Sequence, residues 1–251
     1  MSQAFTELRR RSPALTALAV MHLALLAVFM VALQIDAVQV LGIPRWFKPA
    51  KFAVSIAIYL TTIAWLLPST GLTERTRRRL VGVIGTTMIL EMMAITVQAA
   101  RGTTSHFNIA TLFDAVIFQS MGIAILLNTI AAAWLCVGAW GVLRREPTGT
   151  QAGVAMGFAV FLVGSAVGGW IVANNAHTVG APDGGPGLPF VNWSTTAGDL
   201  RIAHFVGMHA LQVLPVVGTM FGRRAVYGAA LAWTVLTAAL AVQAAMGSPL
   251  L

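Results

Sequence analysis

The chain has 251 residues, 57% of them hydrophobic and only 10% charged, with a net charge of +8. Soluble domains carry about 25% charged residues, so this composition excludes an ordinary soluble domain and points to a polytopic membrane protein. The positive balance does not imply nucleic acid, because the cations sit in short segments between apolar runs and no soluble basic domain exists to carry such binding.

Seven apolar runs set the expected architecture: residues 14–35, 51–67, 80–100, 119–142, 153–173, 200–221 and 225–246. The expected fold is all-α, a single seven-helix transmembrane bundle over residues 1–251. The first run follows Arg9, Arg10 and Arg11. It is too long for the h-region of a signal peptide and lacks a clear cleavage site, so it reads as a retained first span. The fourth is the difficult one. The apolar stretch 107–143 would run roughly 55 Å as one helix, against a hydrocarbon core of about 30 Å. A surface or re-entrant segment at 107–118 carrying Asp114, then one crossing, is therefore expected. Splitting the stretch into two spans would give eight, but Asn128-Thr129 makes a poor turn.

Span five carries Gly153, Gly157, Gly164 and Gly168, small residues at helical spacing that allow close helix approach, expected here within the monomer. The loop 174–199 is rich in glycine and proline and reads as a turn-rich cap. Asp199 is placed to N-cap the sixth span. The lone cysteine, Cys136, lies in an apolar run and excludes any intrachain disulfide or CxxC pair.

Charge orients the bundle. With the N-terminus inside and the C-terminus outside, the inner segments hold eleven arginines, and the outer segments hold Arg45, Lys48, Lys51, Arg101 and Arg201. That asymmetry obeys the positive-inside rule. Abundant arginine and alanine suggest a bacterial protein, so the expected location is a bacterial cytoplasmic membrane, with the lipid bilayer as the partner.

Glu91 sits near the middle of span three. A carboxylate at that depth costs several kcal/mol unless it is protonated, paired or hydrated, which marks it as a candidate functional residue. Counting along each helix at 1.5 Å per residue puts His22 on span one and His209 on span six at about the same depth. Thr87, Glu91 and Gln98 share one face of span three, and His209 shares a face with Gln212. Such groups should face the bundle interior, because lipid cannot satisfy them.

Two imidazoles and a carboxylate are a ligand set for haem b or a transition metal, with His22 and His209 as ligands and Glu91 as ligand or proton acceptor. A membrane redox protein is the first functional expectation. The same groups suit a small-solute or ion transporter with Glu91 as the proton-coupling residue. They also suit a structural or assembly subunit in which they only join helices. A second polar set is expected at the outer surface: Arg101, His106, Asn108, Asp114, Asn175, His177, Arg201 and His204 as substrate-binding residues. Arg45, Lys48 and Lys51 form an anion clamp in this reading.

Familiar seven-span families do not fit. The retinal proteins need a lysine on the last helix, and span seven has none. Membrane zinc hydrolases of the ceramidase type use a late HxxxH pair, where this chain has His204 and His209 in an HxxxxH spacing. No G-x-S-x-G, H-E-x-x-H or P-loop occurs.

Overall fold

The computed structural model describes residues 3–250. Helices dominate: α1 (Gln3–Arg11), α2 (Pro13–Ile35), α3 (Phe47–Leu66), α4 (Glu74–Ala100), α5 (Leu112–Arg145), α6 (Gly149–Ala173) and α7 (Leu200–Ala245). A 3-10 turn (Leu67–Thr70) and four two-residue strands complete the described elements: β1 (Gln39–Val40), β2 (Ile43–Pro44), β3 (Thr178–Val179) and β4 (Gly198–Asp199). Six helices, α2 to α7, are long and apolar enough to cross a membrane, the pattern of a multi-pass membrane protein.

The chain divides into two compact units. The first takes the chain up to Pro68 and Leu72–Ala131; the second takes Ser69–Gly71 and everything from Ala132. In the first unit, Pro13 opens α2 at a position where a missing N–H costs nothing. The short amphipathic α1 before it is not among the expected elements. Its Arg11 reaches the far end of α3, with the guanidinium 4.3 Å from the Trp65 ring centroid. At the other end Phe29 stacks on Trp46, centroids 5.9 Å apart. Those two contacts fix α2 and α3 as antiparallel neighbours.

Between them, the β1–β2 hairpin turns on Leu41 and Gly42, both at positive φ (51° and 72°), the geometry of a tight hairpin turn. Asp36 ties this corner together. Its carboxylate accepts from Val38 N at 3.0 Å, from Arg45 Nε at 2.7 Å and from Trp46 Nε1 at 2.7 Å. The Val38 N–H, then the Trp46 donor, hold the Asp36 carboxyl below the usual carboxylate range. Arg45 also donates to the Ala100 carbonyl at 2.9 Å, so α4 ends beside the C-terminal end of α2. The two helices run parallel.

α5 joins the expected 107–118 segment to the fourth span. It is one continuous helix from Leu112 to Arg145, so residues 112–118 are helical, and no turn splits off a second crossing. The reason is local. Thr111 accepts from Asp114 N at 3.1 Å and donates to the Asp114 carboxylate at 2.6 Å, a reciprocal cap that starts a helix here. No glycine pair or proline follows to stop it before Pro147. Asp114 is a first-turn residue rather than a loop residue.

The second unit is built on glycine. A side chain on Gly164 would lie 2.6 Å from Met208 N and 2.7 Å from Gly207 C. Gly149, Gly153 and Gly157 meet the α7 backbone near Gly218, Leu214 and Leu211 in turn. The spacing therefore packs α6 on α7 within the chain, as expected. α7 is broken at Gly222, where φ is 80° and ψ 179°, a conformation open to glycine. The two arms then fold back on each other: Trp233 Nε1 donates to the Val206 carbonyl at 2.7 Å, and Ala230 packs with Ala210 and Leu214. Asp199 caps the first arm by accepting from Arg201 N at 3.0 Å, as expected. The 174–199 segment is a turn-rich cap with β3 paired to β4.

Candidate functional site

The first unit holds a line of buried polar side chains. Glu91 is 2% exposed, so it faces the unit's interior rather than lipid. Its neighbours along the α4 stripe, Thr87 and Gln98, are buried as well. Glu91 Oε1 has no hydrogen-bond partner. Among the described residues, the charge whose field acts on Glu91 is the Lys48 ammonium. His22 is fully buried. Its Nδ1 sits 2.7 Å from the Leu18 carbonyl, which makes Nδ1 the donor and leaves Nε2 buried without a partner.

Height along the helices relates these groups. Leu18 faces Gly85 across the α2–α4 contact. His22 lies one turn beyond Leu18 and Glu91 six residues beyond Gly85, so on parallel helices they differ in height by about 3 Å. A second polar pair, half-buried on the Tyr59 side, lies at similar depth. Tyr59 on α3 donates to Asn128 Oδ1 on α5 at 3.2 Å, and Asn128 is buried. Sequence reasoning missed both residues. Asn128 was considered only as a poor turn, and a tyrosine on an apolar helix carries no distinguishing signal. Glu91, His22 and the Tyr59–Asn128 pair fall between about 15 and 25 Å below the Arg101 end of α4.

At that end, the polar groups are mutually engaged. Asp114 accepts from Gln98 Nε2 at 2.8 Å and pairs with Arg101, whose Nη1 also donates to Gln98 Oε1. The Arg101 guanidinium lies 4.7 Å from the Phe113 ring centroid. Lys48 Nζ is 3.1 Å from His106 Nδ1, and Ser105 Oγ is 3.0 Å from the same nitrogen. Asn108 braces its own loop, donating to Thr103 Oγ1 at 2.9 Å and accepting from Ala110 N at 3.1 Å. Arg45 is held by Asp36, and Lys51 lies 5.1 Å from the Phe47 ring centroid.

The remaining candidates belong to the second unit. His209 is half-buried, its Nδ1 2.7 Å from the Phe205 carbonyl and its ring tilted by 34° against Phe205, centroids 4.0 Å apart. His204 Nδ1 lies 2.8 Å from the Gly164 carbonyl. His177 pairs with Asp183 at 2.7 Å. Burial alone would raise the Asp183 carboxyl, but the His177 ring and the N–H groups of His177 and Thr178 hold it well below its usual range. Arg201 is committed to Asp199 and the Asn192 carbonyl. Asn175 sits in a turn at φ 53°.

The structure thus brings together Arg101 with Asp114, Lys48 with His106, and His177 with Asp183. His22 and Glu91 lie in the first unit and His209 in the second. Among the described residues, no three or more His, Cys, Asp or Glu side chains are grouped to hold a metal ion. Comparison with family models, with curated proteins and with solved structures finds no match to this chain.

Proposed function

We propose that this protein spans a bacterial cytoplasmic membrane seven times, N-terminus inside and C-terminus outside, and moves a proton or small cation through Glu91. The folded-back arms of α7 support the seventh span, since each arm has the length of a crossing. The arginine-rich segments support the orientation. The Arg101 end of the first unit is then the outer mouth, where Lys48, His106 and the Arg101–Asp114 pair receive the ion or a small solute.

One observation carries the reading. Glu91 Oε1 is buried and has no protein partner, at the depth where an uncompensated carboxyl is most costly. A purely structural carboxyl would be held by donors, as Asp36 and Asp114 are. Water or a transported cation is the natural occupant of the open oxygen. His22 Nε2 and the Tyr59–Asn128 pair offer the next polar groups toward the inner side.

The test is proton flux in proteoliposomes with a pH-sensitive dye inside. Wild type should collapse an imposed pH gradient, and Glu91→Gln should not. Equal flux from the two proteins, with equal incorporation, contradicts the reading.

A redox function, with haem b or a transition metal on imidazole, has its own supporting observation. His22 and His209 each engage Nδ1 with the carbonyl four residues earlier, which leaves Nε2 as the ligating nitrogen, an arrangement usual for metal-bound histidine. A Soret band or stoichiometric metal in purified protein supports this reading. Colourless, metal-free protein produced with haem and metals supplied contradicts it.

A further inference from the structure

Two cavities of about 460 and 220 Å3 lie along one seam of the first unit, between α4 and α5. They share Leu90 and Ser120 as lining residues, so they form one slot. It runs from Gly82 at the deep end to Val97 and Phe113 near the Arg101 end. Fifteen residues of α4 separate Gly82 from Val97, a length of about 22 Å. One leaflet supplies only about 15 Å of hydrocarbon.

The slot is mainly apolar. Three hydroxyls line it, and two are already used: Ser120 donates to the Ile117 carbonyl at 2.8 Å and Thr87 to the Ile84 carbonyl at 3.0 Å. It opens outward, with Leu90 and Phe113 half exposed (50% and 53%). In a membrane that opening faces acyl chains. The mouth is different. Arg101 stacks on Phe113, the residue that ends the slot. Both Arg101 hydrogen bonds use Nη1, so Nε and Nη2 have no partner among the described residues. The Arg101 side chain is 39% exposed. Around this corner Arg45, Lys48, Lys51 and Arg101 outnumber Asp36 and Asp114, leaving a positive rim.

We propose that the α4–α5 seam binds one chain of an anionic lipid, with its phosphate on the free edge of the Arg101 guanidinium. A chain stretched along the seam passes the bilayer midplane, which favours long-chain lipids. The site shares Arg101 with the proposed outer mouth, and lipid labelling is read separately from flux through Glu91, so either reading can fail without the other. An apolar slot alone would take any chain; the free Nε–Nη2 edge of Arg101, within a rim of net positive charge, selects an anionic headgroup.

The test uses full-length protein in phosphatidylcholine vesicles doped with phosphatidylglycerol or phosphatidylcholine carrying a photoreactive group in the acyl chain. Crosslinks are mapped by mass spectrometry. The phosphatidylglycerol probe should label 82–97 and 113–127 over the exposed face of α2 (Val20, Val28, Val31) by about fivefold, the preference one interfacial cation confers. Arg101→Gln should remove the headgroup preference and Arg101→Lys should keep part of it. Ala94→Trp, which fills the slot, should reduce seam labelling by both probes. A folding check by circular dichroism accompanies each variant, and a misfolded Ala94→Trp is replaced by Ser120→Phe. Uniform labelling of α2 and the seam by both probes means annular lipid only and overturns the proposal. So does seam labelling that ignores headgroup and Arg101. Protection of the seam by a crosslinked second copy of the chain overturns it as well.

Discussion

The two units differ in which buried polar groups they leave open. In the second, α6 and α7 meet backbone to backbone through glycine, and the ionisable groups near them are satisfied: His204 by the Gly164 carbonyl and Asp199 by Arg201 and Ser194, with Thr237 held by the Trp233 carbonyl. Two neutral amide oxygens accept no hydrogen bond there, Gln151 Oε1 in the first turn of α6 and Gln212 Oε1 within the first arm of α7. In the first unit, Glu91 Oε1 and His22 Nε2 lack partners in the middle of long helices. An unmade hydrogen bond at such a site costs about 1–3 kcal/mol, more for a charged group. One unit is packed for rigidity. The other keeps two ionisable side chains open at depth, where stability alone would have closed them.

That contrast can be broken by mutation. The largest expected effect is Gly164→Leu, which drives a side chain into the α7 backbone at Gly207 and Met208. A backbone wall cannot move aside, so the loss should reach about 3 kcal/mol or more, read as a lower unfolding temperature in detergent. Asp199→Ala should come next. It removes a helix cap and leaves Arg201 without its carboxylate, for a loss of about 3 kcal/mol. Hydrogen exchange should localise that loss to the 174–199 cap.

Glu91→Gln should behave differently from both. No protein hydrogen bond to Oε1 is lost, so stability should stay within about 1 kcal/mol of wild type. Flux should fall by about a hundredfold, the low end of what a positioned proton-transfer group contributes. A Glu91→Gln protein as destabilised as Asp199→Ala would remove the contrast.

The smallest effect is a pH dependence in the cap. The folded Asp183 carboxyl is held low, because its bonds to His177 and Thr178 outweigh burial. Its contribution is therefore fully present above the ordinary carboxylate value of about 3.9 and is lost as pH falls below that toward the folded value. Amide protection factors at 177–183, with the intrinsic pH dependence of exchange divided out, should be flat above pH 5, fall on acidification below about pH 4, and lose that acid sensitivity in Asp183→Asn.

Much of the fold was legible in the sequence, for physical reasons. Hydropathy locates the long helices because lipid tolerates no unsatisfied backbone. The break at Gly222 sits where the Arg223-Arg224 pair interrupts two apolar runs. The glycine spacing of α6 announced close packing, and Asp199 announced a cap. The start of α5 at Leu112 was not legible, because the length of the 107–143 stretch set the expected boundary and not its capping. The Thr111–Asp114 cap that starts the helix depends on two side chains closing on each other. α1 was missed because its nine residues bury no apolar side chain completely. For the site, sequence gave depth but not direction. It marked Glu91, Thr87 and Gln98 as one stripe, and burial agrees. It could not show that Tyr59 would meet Asn128, since two helices' rotations decide that contact.

Infrared difference spectroscopy of the Glu91 carboxyl tests the central claim most directly. Wild-type protein in vesicles, stepped in external pH, should show a carboxylic C=O band that changes amplitude, shifts in D2O and is absent from Glu91→Gln. A spectrum identical in wild type and Glu91→Gln, or a Glu91 band that responds to neither pH nor D2O, would mean a sealed structural carboxyl and would contradict the account.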